Sequence, residues 1–257
     1  MQRERIDKLL VDRGLANSRT KAQAMVMTGV VLVDEQQVRK PSELFAHDAN
    51  IRIKGSGDAA SRYVGRGGLK LEAALREFEI NVHGLMCLDV GASTGGFTDC
   101  LLQHGARKVV AVDVGHNQLA WRLRNDPRVE LREGVNARHL ATSDFVQKFD
   151  LATIDVAFIS ATKILPAVAS LMTDSGRIIT LIKPQFEVGK VEVGKGGIVR
   201  DPAQHRRVVD EVNSAAEALG LRVCRVFESP IRGADGNVEF LALYEPAKVL
   251  TTKAQRH

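Results

Sequence analysis

Residues 86–102 read MCLDVGASTGGFTDCLL. A five-residue run holding one acid, Met86 to Val90, meets Gly91 and then the pair Gly95-Gly96, after which apolar residues return at helical spacing. A strand that turns through glycines directly into a helix opens a βα unit, and in open parallel sheets the ligand crevice lies at such carboxyl ends. A dinucleotide fingerprint needs GxGxxG, so that backbone amides cradle a pyrophosphate. This loop offers GxxxGG and begins with Asp89, an acid that would repel pyrophosphate.

Outward from this loop the pattern alternates strand and helix. Six further strands are predicted at Lys108 to Asp113, Val129 to Arg132, Asp150 to Asp155, Arg177 to Lys183, Arg222 to Glu228 and Val238 to Tyr244. Helices are predicted at Leu69 to Phe78, Gly96 to His104, Asn117 to Leu123, Ser160 to Leu171 and Pro202 to Leu219, the last with Asp201 as cap, Pro202 at the first helical position and Gly220 as stop. The turn-rich stretch Gly233 to Asn237 predicts that the last strand returns as a hairpin. Six strands and a final antiparallel one make a seven-stranded class I (Rossmann-like) methyltransferase fold of the α/β class. In that setting Asp89 serves the cationic methionine portion of S-adenosylmethionine, through bound water or its ammonium, and Gly91, Ser93, Thr94, Gly95, Gly96 and Phe97 form the cofactor loop. Asp113, 24 positions after Asp89, is placed for ribose hydroxyls. Asn136 is a candidate adenine contact, although Asn after a strand is more often a turn former.

Upstream lies a smaller α+β module. Ile6, Leu9, Leu10 and Arg13 share one stripe of a helix expected over Arg3 to Arg13, and Gly14 stops it. Asn17 or Ser18 can cap a second helix running to about Thr28, closed by Gly29. Val30 to Val33, Val38 and Ile51 to Ile53 read as short strands. The glycine-rich passage Lys54 to Ser61 reads as a linker. The expected organisation is a first domain over residues 1–60, a linker over 61–66, the large domain over 67–250 and a tail over 251–257. Residues 1–63 hold 11 Lys and Arg against 8 Asp and Glu, more than half of the chain's net charge of +5. A basic excess of this size suits a polyanionic partner.

Four charged residues fall at element ends around the same predicted crevice: Lys70, Asp155, Lys183 and Glu239. Lys183 precedes Pro184, which pushes it to extended geometry, so it should project from its strand end. Glu239 lies among apolar neighbours and calls for a partner. Two ammonium donors with two carboxylates can hold and deprotonate an alcohol.

The stretch RIDKLLVDRGLANSRTKAQAMVMTGVVLVD, residues 5–34, resembles the alpha-L RNA-binding domain of the S-four type. That resemblance implies RNA phosphate contacts by Arg5, Lys8, Arg19 and Lys21, with Arg66 further along. The four charged residues, the Asp89 to Phe97 loop and SRYVGRGGLKL (residues 61–71) resemble the TlyA family, also called hemolysin A, whose catalytic domain is similar to the FtsJ ribose methyltransferases. The resemblance implies 2′-O-methylation of cytidine in ribosomal RNA of the large subunit, in some members of the small subunit too, with S-adenosylmethionine as donor and ribosomal subunits as partners. It also implies that the linker, Ser61 to Val64, influences cofactor binding.

Other classes fit less well. At 257 residues and 44% hydrophobic the chain can bury a full core. Cys87, Cys100 and Cys224 have no CxxC spacing, so no metal site or disulfide framework is expected, and a cytoplasmic setting without stable membrane association is. No apolar run approaches the ~18 residues of a membrane span. Carbon-5 base methylation would need a cysteine at a strand's carboxyl end, and amino-nitrogen methylation an Asn/Asp-Pro-Pro-aromatic loop where this chain reads Asp155-Val156-Ala157-Phe158. A noncatalytic ribosome assembly factor and a membrane-active hemolysin are the remaining alternatives.

Overall fold

The structure is a computed structural model and describes residues 3–247 except 17, 35, 48, 50, 54–61, 190–191, 195 and 234–235. Asn17, most of the predicted linker and the tail over 251–257 thus lie outside the described residues. Internal contacts divide the chain into two compact units that meet at Arg62 and Tyr63.

The first unit runs β1 (Arg3–Arg5), α1 (Ile6–Asp12), α2 (Arg19–Met27), β2 (Val31–Val33), β3 (Gln36–Gln37), β4 (Leu44–Ala46) and β5 (Ile51–Ile53). Arg3 to Arg5 do not belong to the first helix as predicted. They pair antiparallel with β4, because the three polar residues have no apolar face to pack and their backbone groups find partners along that strand. Ser18 Oγ accepts from Lys21 N at 3.2 Å and caps α2. β2 is the middle of a three-stranded sheet ordered β3-β2-β5, and Ile6, Leu10, Ala22, Val26, Val31, Val33 and Ile53 form the core beneath it.

The second unit is built on β6 (Met86–Val90), β7 (Lys108–Val112), β8 (Val129–Arg132), β9 (Phe149–Ile154), β10 (Met172–Ile182), β11 (Leu221–Glu228) and β12 (Phe240–Pro246). These form one seven-stranded sheet in the order β11-β12-β10-β9-β6-β7-β8. All neighbours are parallel except β12, which runs antiparallel between β10 and β11. The chain steps from β6 to β7 on one side and to β9 on the other, so the topological switch point lies between β6 and β9.

Successive residues of the central strands serve opposite layers, as the two-residue period of a strand requires. Leu88, Val90, Val110, Ala152, Ile154 and Ile178 face one core with Val208 and Val212 of the helix Pro202–Ala218. Cys87, Val109, Ala111, Leu151 and Ile179 face the other with Leu71 and Leu75 of α3 (Gly67–Glu77) and Leu101 of α4 (Gly96–Gln103).

Other predicted elements differ in extent, β10 among them, which begins at Met172 rather than Arg177. The helix expected over Asn117 to Leu123 is one turn, Trp121–Arg124, because Asn117 sits at φ +59, outside helical geometry. The helix expected over Ser160 to Leu171 is a 3₁₀ turn, Ala161–Lys163, followed by Leu165–Ser170; Pro166 lacks the N–H that a continuous helix would need. Glu239 lies immediately before β12 rather than inside it, its carbonyl accepting from Ser229 N at 2.8 Å.

Phe149 is fully buried in the first of these layers, 5.1 Å from the Phe145 ring. Phe149→Ala should lower the unfolding free energy of the larger unit by roughly 3–5 kcal/mol, the cost of a large cavity in a close-packed core. Urea titration with circular dichroism measures this, and a loss below ~1 kcal/mol would contradict the packing described.

Candidate active site

The site is built where β6 and β9 end side by side. Asp155 N donates to the Val90 carbonyl at 2.9 Å, and the next residue, Gly91, turns away at φ +85. A Cβ on Gly91 would stand 2.3 Å from the Asp155 carbonyl oxygen, so only glycine lets the two strand ends meet. Gly91 N and Ala92 N donate to the Val112 carbonyl at 2.9 and 3.2 Å, tying the loop to β7 as well. Gly95, at φ +97, turns the chain into α4. Gly96 presses on the start of α3, where its Cβ would meet Gly68 N at 3.0 Å. That close approach sets Lys70, in the first turns of α3, beside the loop.

Two cavities open on either side of this loop, and Gly91, Ser93 and Asp155 line both. The first, about 450 Å³, is walled by Val90, Val112, Val135 and Ile164 and carries Asp113, Gln118 and Asn136. Asp113 accepts from Ser93 N and Gly115 N, each at 2.7 Å, and so fixes the loop from the end of β7. Asn136 Oδ1 accepts from Arg138 N at 3.1 Å and caps the turn Ala137–His139, the turn-forming role, while the residue still lines the cavity.

The second cavity, about 460 Å³, gathers Lys70, Asp155, Lys183 and Glu239, with Arg66, Thr94, Gly96, Phe97 and Arg232. The four charged residues stand as two ion pairs. Lys70 bonds Glu239, both almost wholly buried. Lys183 Nζ lies 2.5 Å from Asp155 Oδ1, with an angle that leaves this buried oxygen without an aligned hydrogen bond. Each lysine thus has its own carboxylate.

Asp89 also departs from expectation. It is fully buried behind the loop and lines neither cavity; its carboxylate accepts from Thr98 Oγ1 at 2.6 Å and Thr153 Oγ1 at 2.9 Å. Both hydroxyls belong to the flanking elements, so Asp89 fastens the loop and does not face a ligand directly. Gly95 likewise lines neither cavity and acts through the turn.

Of the expected RNA contacts, Arg66 lies at the second cavity, whereas Arg5, Lys8, Arg19 and Lys21 belong to the first unit. Arg5 and Arg19 both bond Asp7, Lys8 bonds Glu4 at 2.6 Å, and Lys21 is exposed. Sequence reading passed over Gln118 and Arg232. Their signal is weak: each lies in a connection that follows a strand's carboxyl end, after β7 and β11 respectively. Among the described residues no cluster of His, Cys, Asp and Glu could hold a metal ion.

A parallel sheet with one antiparallel strand beside its edge, a glycine loop after β6 and an acid ending β7 define a class I methyltransferase. A family model described as FtsJ-like methyltransferase matches residues 63–245, and another, described as S4 domain, matches residues 4–48. The protein named 16S/23S rRNA (cytidine-2′-O)-methyltransferase TlyA of Mycobacterium tuberculosis is 44% identical over 93% of this chain and 88% of its own. Hemolysin A of Brachyspira hyodysenteriae is 42% identical, over 93% and 98% respectively. A solved Streptococcus thermophilus structure with a hemolysin name has a TM-score of 0.74 at 43% identity, covering 96% of this chain and 90% of that one. The chain belongs to the TlyA family of FtsJ-like methyltransferases, with an S4 domain ahead of the methyltransferase domain.

Two substitutions test this construction. Gly91→Ala should cost at least about 2 kcal/mol in urea titration, since both its φ and the Asp155 carbonyl oppose a side chain. For Asp89, burial pushes the carboxyl up to about 6 from 3.8, against the pull of the two threonine hydroxyls. The folded chain then holds this proton more tightly than the unfolded one. Its stabilising effect is full below the unfolded value and is lost as pH rises through about 6. Between about pH 4 and pH 8 the wild type should lose roughly 2–3 kcal/mol that Asp89→Asn does not. Parallel pH profiles of the two proteins would disprove the assignment.

Proposed function

We propose that this protein transfers a methyl group from S-adenosylmethionine to the 2′-hydroxyl of a cytidine in ribosomal RNA. The observation that carries this reading is the meeting of the two cavities across Gly91, Ser93 and Asp155, one apolar with a strand-end acid, the other holding the two ion pairs. The choice of cytidine, and of ribosomal RNA, follows the printed name of the Mycobacterium tuberculosis relative.

The first cavity fits the cofactor. Its apolar walls suit a purine, Asp113 and Asn136 present acceptors at strand ends, and the bare backbone at Gly91 admits close approach. When bound, S-adenosylmethionine supplies an electrophilic methyl group. Gly91, Ser93, Asp113 and Asn136 would hold it, while Asp89 keeps the loop in shape from behind.

The chain's own groups then handle the alcohol. A ribose hydroxyl is a poor acid, so its oxygen must be oriented and its proton accepted as the bond to carbon forms. Lys183 and Asp155 are the pair for this. Lys183, as the neutral amine, takes the hydroxyl proton, and the Asp155 carboxylate 2.5 Å away balances the ammonium that results. Lys70 and Glu239, locked together, form a fixed charged wall that orients the ribose, and much of the rate comes from alignment. Arg66 and Arg232 lie at the same cavity and suit flanking phosphates, and the S4 domain supplies further RNA contacts. Ribosomal RNA as substrate sets the reaction in the cytoplasm, and among the described residues no helix is long and apolar enough to cross a membrane.

Lys183→Ala should reduce incorporation of tritiated methyl into deproteinised ribosomal RNA or intact subunits by at least about a hundredfold. Calorimetric affinity for S-adenosylmethionine should stay within about threefold of wild type, because Lys183 lines the second cavity and not the first. Near-normal turnover would refute the assignment of Lys183. Cofactor binding by the wild type without methyl incorporation into any subunit would instead favour a noncatalytic assembly factor.

A further inference from the structure

In the first unit a carboxylate is buried where apolar side chains would be expected. Asp7, in the first turn of α1, has no exposed surface and sits beside the core residues Ile6 and Leu10. Its Oδ1 accepts from Arg5 Nε at 3.0 Å, and its Oδ2 accepts from Arg5 Nη2 at 2.9 Å, Arg19 Nε at 3.0 Å and Gln23 Nε2 at 2.9 Å. The bonds from Arg5 above all hold its carboxyl well below the usual carboxylate range, so the group is a fixed anion. The two arginines come from different elements, β1 and the first turn of α2, and among the described residues Asp7 is what bonds their side chains together. Their side chains nevertheless stay 39% and 57% exposed. Among the described residues nothing bonds Arg5 Nη1 or either Nη group of Arg19, which leaves them for an outside partner.

We propose that Asp7 is a positioning residue for RNA: its buried carboxylate locks Arg5 and Arg19 into one rigid face whose outward nitrogens meet the RNA phosphates. The inference rests on the reading that this face binds RNA. A free arginine must give up its rotamer freedom on binding, and Asp7 removes most of that cost in advance. Arg is suited to the task, since its rigid planar fork fixes the outward nitrogens when the inward ones are bonded, whereas a lysine ammonium has no such fixed geometry. The neighbouring Lys8 is different, for it pairs with the half-buried acid Glu4, as an ordinary i,i+4 contact does.

Charge alone and positioning predict opposite signs for one substitution. Asp7→Asn removes a negative charge from beside the RNA, so by charge alone binding tightens. Under the positioning role it weakens by about tenfold, the ordering cost of two long side chains. The test is fluorescence anisotropy of the full chain with a labelled structured RNA transcript. Wild type is compared with Asp7→Asn, Arg5→Ala/Arg19→Ala and Arg5→Lys/Arg19→Lys, with thermal unfolding and S-adenosylmethionine affinity as controls. The expected result is weakening in all three variants. In Asp7→Asn the slope of log affinity against log salt is unchanged, because the same cations still reach phosphate. Equal or tighter binding by a folded Asp7→Asn protein overturns the positioning role while leaving the face intact. No loss in the double alanine variant overturns the RNA reading of the face itself. Should Asp7→Asn not fold, the double lysine variant decides, since binding within about twofold of wild type would show that charge without the fork suffices.

Discussion

The contact between Gly91 and the Asp155 carbonyl is the constraint on which the rest of the larger unit depends. It occurs where the chain leaves β6 for one side of the sheet and β9 arrives on the other, so it fixes the width of the crevice at the switch point. With no Cβ between them, the loop crosses directly over the end of β9 and divides one crevice into two cavities that share a wall. Everything chemical is then placed by short connections from that point: Asp155 is the next residue after β9, Lys183 the next after β10, and Asp113 the next after β7. A side chain at residue 91 would push the strands apart and move all three together.

The same logic explains the second glycine cluster. Gly65, Gly67 and Gly68 at the start of α3 lie against Thr94, Phe97 and Tyr63, at distances where an added Cβ would be in close contact or clash. The glycines leave room for these side chains, and where Gly96 of α4 faces Gly67 and Gly68 the two helix ends meet backbone to backbone. The gain is reach. Lys70 and Glu239 are 169 positions apart in sequence, yet they bond because α3 is pressed onto α4 and β12 returns between β10 and β11.

The central strands were legible from sequence because each is a short apolar run flanked by turn formers, and burial on both faces leaves no other reading. Asp155, Lys183 and Glu239 were legible for a related reason, since a charge at the end of an apolar strand is conspicuous. What escaped was decided by contacts without a local signature. Arg3 to Arg5 read as helix because the pattern begins before Ile6, and only β4, some forty residues on, reveals a strand. Asp89 read as a ligand contact because it precedes the glycines, whereas its partners Thr98 and Thr153 are polar residues that a sequence pattern would place anywhere. Which carboxylate Lys70 meets follows from the position of β12, which the order of elements does not reveal.

The two ion pairs of the second cavity are unequal, and the inequality bears on the proposed reaction. A buried ion pair gains little over apolar residues of the same volume, because removing both charges from water offsets their attraction. Lys70 and Glu239 are therefore not explained by stability. They hold opposite charges in one orientation against a cavity wall, which an apolar pair could not do. Lys183 and Asp155 retain 14% and 21% of their side-chain surface, open to the cavity, and Asp155 Oδ1 has a charged neighbour but no aligned bond. A group so placed can change partners at small cost, whereas Lys70 and Glu239 cannot. One pair is suited to fix a ribose and the other to exchange a proton with it, which is the division of labour that alcohol methylation demands.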